Sequence, residues 1–76
     1  MNVSKGEFRL MVELTTADLV NMLIDEHNYT LEQAMDLVYN SDTYKALNTP
    51  ECNFFFQSPG YVYDFLNNEI KTGRMA

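Results

Sequence analysis

The sequence predicts an all-α fold: a small bundle of three main helices plus one short helix, with a short extended aromatic segment before the last helix. Three observations support this prediction. Helix start signals recur along the chain, and apolar side chains repeat at helical spacing between them. The 76 residues are also enough for one hydrophobic core but not for two. We therefore expect one small helical domain over residues 1–76.

The first helix is expected over residues 5–27. Ser4 and Glu7 have the spacing of a capping box, in which each side chain bonds a free backbone amide of the other residue. Residues 8–14 alternate as a strand also would, and a helix could instead begin at Thr16. We prefer one continuous helix because a lone strand would need a partner. Its core stripe would comprise Phe8, Met11, Val12, Thr15, Leu19, Met22 and Leu23.

The second helix is expected from Leu31 to about Asn40. Thr30 and Gln33 repeat the capping-box spacing just before an apolar-periodic run. A helix this short can bury only one side. Its core stripe is expected to contain Leu31, Ala34, Met35 and Val38.

The short third helix is expected over residues 42–47, with Ser41 as its N-cap. Asn48 could take the left-handed position that often follows a helix, since Asn tolerates this conformation. The residue before Pro50 disfavours helical geometry, so the helix should end there.

The aromatic run Phe54–Phe56 is too short for an α-helix and follows a turn-like stretch, so we expect it to be extended. Ser58 and Pro59 then form a cap and first-turn proline pair, which predicts a helix start. This last helix should end at about Thr72, with Gly73 as a left-handed cap. Its stripe comprises Val62, Phe65, Leu66 and Ile70, flanked by Tyr61 and Tyr63.

Glu69 interrupts the apolar stripe of the last helix, between the positions of Phe65 and Val62. An unpaired buried carboxylate is costly. We therefore expect Glu69 to find a cation or a hydroxyl partner.

Charge argues against nucleic-acid binding. Eleven acidic residues face five basic ones, which gives a net charge of −6, and the resulting field repels phosphate backbones. The basic residues are also scattered along the chain: Lys5, Arg9, Lys45, Lys71 and Arg74. No signal peptide or membrane span is expected from the apolar pattern, and a single cysteine fits a reducing compartment, so we expect a cytoplasmic protein.

No catalytic, cofactor-binding or metal-binding constellation is expected. His27 is the only histidine, and it sits at a helix end where a positive charge suits the dipole. Cys52 follows an acidic residue, which disfavours a thiolate, and is expected to be a half-buried structural cysteine. The competing hypothesis is a small-ligand-binding protein or enzyme that uses His27, Cys52 and a cluster of tyrosines: Tyr39, Tyr44, Tyr61 and Tyr63.

The first helix carries a second apolar sector opposite its core stripe, and a helix that is apolar nearly all round is normally buried on both sides. The two or three further short helices can cover one side of the first helix but scarcely both. We expect this sector to contact another protein chain, unless Phe54–Phe56 folds over it. The expected interaction surface comprises Leu10, Leu14, Ala17, Val20 and Ile24.

Two segments carry a resemblance to a known family. Residues 39–44 read YNSDTY, and residues 57–63 read QSPGYVY. Over residues 8–73 the chain resembles a family of short uncharacterised bacterial proteins, a domain of unknown function in which a YNS-type turn precedes a QSP-type helix start. The resemblance implies a fold and a bacterial cytoplasmic setting, and no catalytic residue. Relatives carry a glycine where this chain has Cys52 or Asn53.

The sequence does not by itself identify a function. The hypothesis that fits it best is a non-enzymatic protein-interaction module, either a homo-oligomer or a small regulatory partner. Some families of this kind lie beside toxin-like genes, which makes an antitoxin-like role one form of that hypothesis.

Overall fold

The computed structural model describes residues 3–73, and the all-α fold predicted from the sequence is confirmed. The four helices are α1 (Lys5–His27), α2 (Leu31–Tyr39), α3 (Asp42–Leu47) and α4 (Pro59–Thr72). Two single 3₁₀ turns, Pro50–Cys52 and Phe54–Phe56, connect α3 to α4, and residues 3–73 contain no strand. Arg74, one of the basic residues noted in the sequence, lies outside the described residues.

The predicted N-caps are confirmed. In α1 the backbone N–H of Ser4 donates to Glu7 Oε1 at 3.0 Å, and the N–H of Glu7 donates to Ser4 Oγ at 3.1 Å. The backbone bond and then the hydroxyl bond from Ser4 lower the pKa of the Glu7 carboxyl. Thr30 and Gln33 form the same pair of bonds at α2. Local side-chain chemistry thus fixes where these helices begin.

α1 is one continuous helix through residues 8–14, so the alternative of a strand followed by a new helix at Thr16 is wrong. The Thr16 hydroxyl instead donates to the carbonyl of Val12 at 2.7 Å within the helix. This bond satisfies a buried hydroxyl without breaking the helical ladder.

The expectation of an extended aromatic segment is wrong, because Phe54–Phe56 forms a 3₁₀ turn. The left-handed residue before it is Asn53, with φ 59°, and not Asn48, whose φ is −82°. The reversal at Asn53 sends Phe55 inward, where it is buried and its ring packs edge-on against Phe8 with centroids 4.8 Å apart. Burial of one large ring therefore determines the local backbone here.

The core lies on the inner side of α1, where α2, α4 and the Phe54–Phe56 turn all pack. α2 contributes Ala34 and Val38, both fully buried. Leu31 and Met35 were expected in the same stripe but are 60% and 39% exposed. At 100° per residue they lie about 40° and 80° round the helix from the line of Ala34 and Val38. The contact of α2 with α1 is therefore narrower than the apolar pattern suggested.

The partner expected for Glu69 is present. Its carboxylate accepts hydrogen bonds from the backbone N–H of Asp42 at 2.7 Å, the N–H of Thr43 at 3.0 Å and the Thr43 hydroxyl at 2.7 Å. Burial opposes ionisation of Glu69, but these bonds, helped by the charge of Lys45, outweigh it and lower its pKa. A carboxylate of α4 thus satisfies the free first-turn amides of α3 and fastens the two helices together.

Candidate protein-interaction surface

The expected interaction surface of α1 is exposed in part. Leu10 is 55% exposed and Leu14 is 58% exposed, and Ala17 is exposed beside them. Val20 is buried and Ile24 is half-buried against the core, which leaves them little exposed area for contact, although Val20 still lines the groove between α1 and α2. Val20 lies on the edge of α1 that is turned toward α2, and helical spacing alone does not indicate which edge a neighbouring helix covers.

α2 adds a second exposed apolar edge that the sequence did not identify as a surface. Leu31, Met35 and Tyr39 are spaced four residues apart, which places them along one side of the helix. Each is at least 39% exposed. We define the apolar band as the exposed apolar side chains of both helices: Leu10, Leu14 and Ala17 of α1, with Leu31, Met35 and Tyr39 of α2.

A groove runs between α1 and α2 and is lined by Ala17 of the α1 edge and by all three band residues of α2, whereas Leu10 and Leu14 lie outside its lining. It has a volume of about 290 Å³ and joins a larger hollow of about 670 Å³ at the start of α1. The two share Glu13, Tyr39 and Tyr44 in their walls. The Tyr39 and Tyr44 rings meet edge to face with centroids 5.0 Å apart, so this ring pair lies where the two hollows meet.

Charge is distributed unevenly around this groove. Lys5 and Arg9 line the larger hollow. Exposed carboxylates lie beside the rest of the band: Glu13 in the groove wall, Asp18 one turn from Leu14, and Glu32 one turn from Met35. Within residues 3–73 the ion pair present is Lys45 with Asp42, so these three carboxylates are unpaired.

The residues of the competing ligand-binding hypothesis are not brought together. The Nε2 atom of His27 lies 3.0 Å from Asn67 Oδ1, and its ring stacks on Tyr29, so it ties the end of α1 to α4. Cys52 is exposed, not half-buried as expected, and lies in the Pro50–Cys52 turn. Neither residue lines the groove.

The tyrosines are divided among different environments. Tyr39 and Tyr44 pair where the two hollows meet, whereas Tyr61 packs with Phe54 and Phe65. Tyr63 is buried, and its hydroxyl has no hydrogen-bond partner in the described structure. Burial, reinforced by the nearby carboxylate of Glu26, raises the pKa of Tyr63 to about 12. Tyr63 is therefore a neutral core residue at physiological pH.

Residues 3–73 lack two other kinds of site. His, Cys, Asp and Glu side chains do not form a group of three or more that could hold a metal ion. None of the described helices combines the length and the apolar character needed to cross a bilayer.

Comparison with protein-family models, curated proteins and solved structures finds no significant match to this chain. The resemblance to short bacterial proteins with a YNS-type turn therefore stays a prediction. The class of protein defined by the fold and the site is a small helical domain with an apolar band beside a groove.

Proposed function

We propose that this protein is a non-enzymatic interaction module of the cytoplasm that binds another protein chain through the apolar band. The bound chain is either a second copy or a regulatory partner, as in an antitoxin-like role. One observation carries the proposal. Within residues 3–73, five of the six exposed large hydrophobic side chains lie in the band, and the sixth, Tyr61, lies elsewhere.

Such clustering separates the band from ordinary surface. Scattered exposed apolar residues are normal on a monomer, but contiguous patches mark interaction sites. Burying a large apolar side chain contributes about 1.5 to 3 kcal/mol. Several side chains buried together can therefore offset an association cost on the order of 4 to 15 kcal/mol, which one isolated residue could not.

Photo-crosslinking from the band tests the proposal directly. A benzophenone amino acid replaces Leu14 in one variant and Tyr61 in a matched control, since both side chains are about half exposed (58% and 46%). Irradiation in a bacterial host should give a discrete adduct from position 14 and none from position 61. The mass of the adduct separates a second copy from another protein.

A second measurement addresses the apolar contact itself. Leu14→Gln combined with Met35→Gln removes two band side chains while keeping good helix formers. We expect loss of the adduct, or loss of a dimer in light scattering, with unchanged helicity. A matched control is Tyr61→Glu, which removes the exposed ring outside the band and completes a capping box with Ser58. Equal adducts from positions 14 and 61 in a monomeric protein would refute the proposal.

A further inference from the structure

We propose that the occupant of the apolar band is an amphipathic helix with basic flanks, supplied by a different protein, whose C-terminal end lies toward Lys5 and Arg9. This inference rests on the proposed function and specifies the chemistry of the partner.

The shape of the groove is that of a helix receptor. Together the groove and the larger hollow, which meet at Tyr39 and Tyr44, follow α1 from Lys5 to Asn21, which at 1.5 Å per residue is about 24 Å, the length of a helix of about 16 residues. The apolar edge of α2 lines the groove on one side, and Ala17 lines it on the other, with Leu10 and Leu14 exposed on the adjoining side of α1. A helix laid between two such edges places an apolar stripe at i, i+3, i+4 and i+7 into the groove.

The sign of the flanks follows from the charges beside the band. Glu13, Asp18 and Glu32 are exposed and have no ion-pair partner among residues 3–73, and each lies within one helical turn of a band residue. An approaching helix therefore meets carboxylates on either side of its apolar stripe. Lys or Arg at its flanking positions would pair with them, whereas Glu or Asp would be repelled.

The same charges disfavour a second copy of this chain. Docking two copies through the apolar band brings together molecules that each carry a net charge of −6, whereas a helix with basic flanks is attracted by that charge. Lys5 and Arg9 lie at one end of the groove, by the larger hollow. The negative end of a bound helix, with its free carbonyls, is the complement of those two cations, and this sets its direction.

Fluorescence anisotropy with synthetic peptides tests the inference. The probe is a labelled amphipathic peptide of leucine and lysine, about 16 to 18 residues long, with a free C-terminal carboxylate. The comparison peptides replace lysine by glutamate, shuffle the leucines, or end in an amide. We expect the lysine peptide to bind best, the amide form to bind about two- to threefold more weakly, and the other two to bind least.

Double variants of the protein show whether the peptide binds at the apolar band or is only attracted by the overall negative charge. Leu14→Gln with Met35→Gln should weaken binding of the lysine peptide about tenfold, as expected for two anchors. Asp18→Asn with Glu32→Gln should weaken it about fivefold. Glu51→Gln with Asp64→Asn removes the same charge from exposed positions outside the band. This control pair should change the affinity for the lysine peptide by less than about twofold.

Each contrary result has a distinct meaning. If the lysine and glutamate peptides bind equally and both lose affinity in the Leu14→Gln, Met35→Gln variant, basic selection is refuted while the proposed function stands. If the two charge-removing pairs weaken binding equally, the assignment of basic flanks to Asp18 and Glu32 is wrong. If the peptide amide binds as tightly as the peptide with a free carboxylate, the assigned direction of the bound helix is wrong. A dimer dispersed by the band variant would make a second copy the occupant and overturn the inference. Cross-linking from position 14 judges the proposed function independently.

Discussion

α1 carries similar side chains on two opposite faces, and only one face is buried. On the inner face Leu19 and Leu23 are fully buried, whereas on the outer face Leu10 and Leu14 are 55% and 58% exposed. α2, α4 and the Phe54–Phe56 turn all pack against the inner side. The residue types of a face therefore do not decide its burial. The number of elements available to cover it does.

The largest expected effect tests this contrast with one substitution on each face. Leu19→Ala should lower the free energy of unfolding by about 3 kcal/mol, because it leaves a cavity among packed neighbours. Leu10→Ala should cost less than about 0.5 kcal/mol, since its side chain is already hydrated. Urea denaturation followed by circular dichroism measures both. Equal losses would mean that the outer face is covered within the monomer.

The next effect concerns the polar contact that fastens α3 to α4. Glu69→Gln keeps the shape of the side chain but replaces the charge-assisted bonds to Asp42 and Thr43 with weaker ones and turns an amide nitrogen toward a donor. We expect a loss of about 1 to 3 kcal/mol. Glu51→Gln, an exposed carboxyl in the connecting turn, is the control and should be nearly neutral. Thermal melts of the two variants at neutral pH provide the test.

Glu69 also makes the free energy of unfolding depend on pH. Its folded-state pKa is lowered, so the unfolded chain, with a Glu pKa of about 4.3, binds the proton more readily. The stabilisation is therefore complete above about pH 4.3 and is lost as pH falls through the lower folded-state value. The Glu69→Gln variant should therefore lose less stability on acidification than the unmodified protein does. An identical pH profile in the variant would show that Glu69 does not contribute to it.

The two faces also show what the sequence could predict. The starts of α1 and α2 were predictable because the capping pairs Ser4–Glu7 and Thr30–Gln33 lie within four residues. A partner for Glu69 was predictable from the cost of a buried charge, although its position on α3 was not. The 3₁₀ turn at Phe54–Phe56 and the exposure of Leu31 depend on contacts between distant segments, which periodicity does not encode.

A smaller effect concerns the start of α4, one of the helices that cover the inner face. Ser58 Oγ accepts a hydrogen bond from the backbone N–H of Tyr61 at 3.3 Å. Ser58→Ala should lower the free energy of unfolding by about 1 kcal/mol, the usual cost of losing an N-cap. Ser58→Asp, which retains an acceptor and suits the helix dipole, should keep most of the stability. Equal melting temperatures for Ser58→Ala and the unmodified protein would contradict the role of this cap.

The smallest expected effect on stability is at the centre of the outer face. Leu14→Gln exchanges one good helix former for another at a position that is 58% exposed, so the free energy of unfolding should change by less than about 0.5 kcal/mol. The same substitution, paired with Met35→Gln, is expected to weaken partner binding. A side chain that matters for binding and not for folding is what distinguishes an interaction face from a core face. A loss above about 1.5 kcal/mol in chemical denaturation would instead place Leu14 among the core residues, and the contrast between the two faces of α1 would no longer hold.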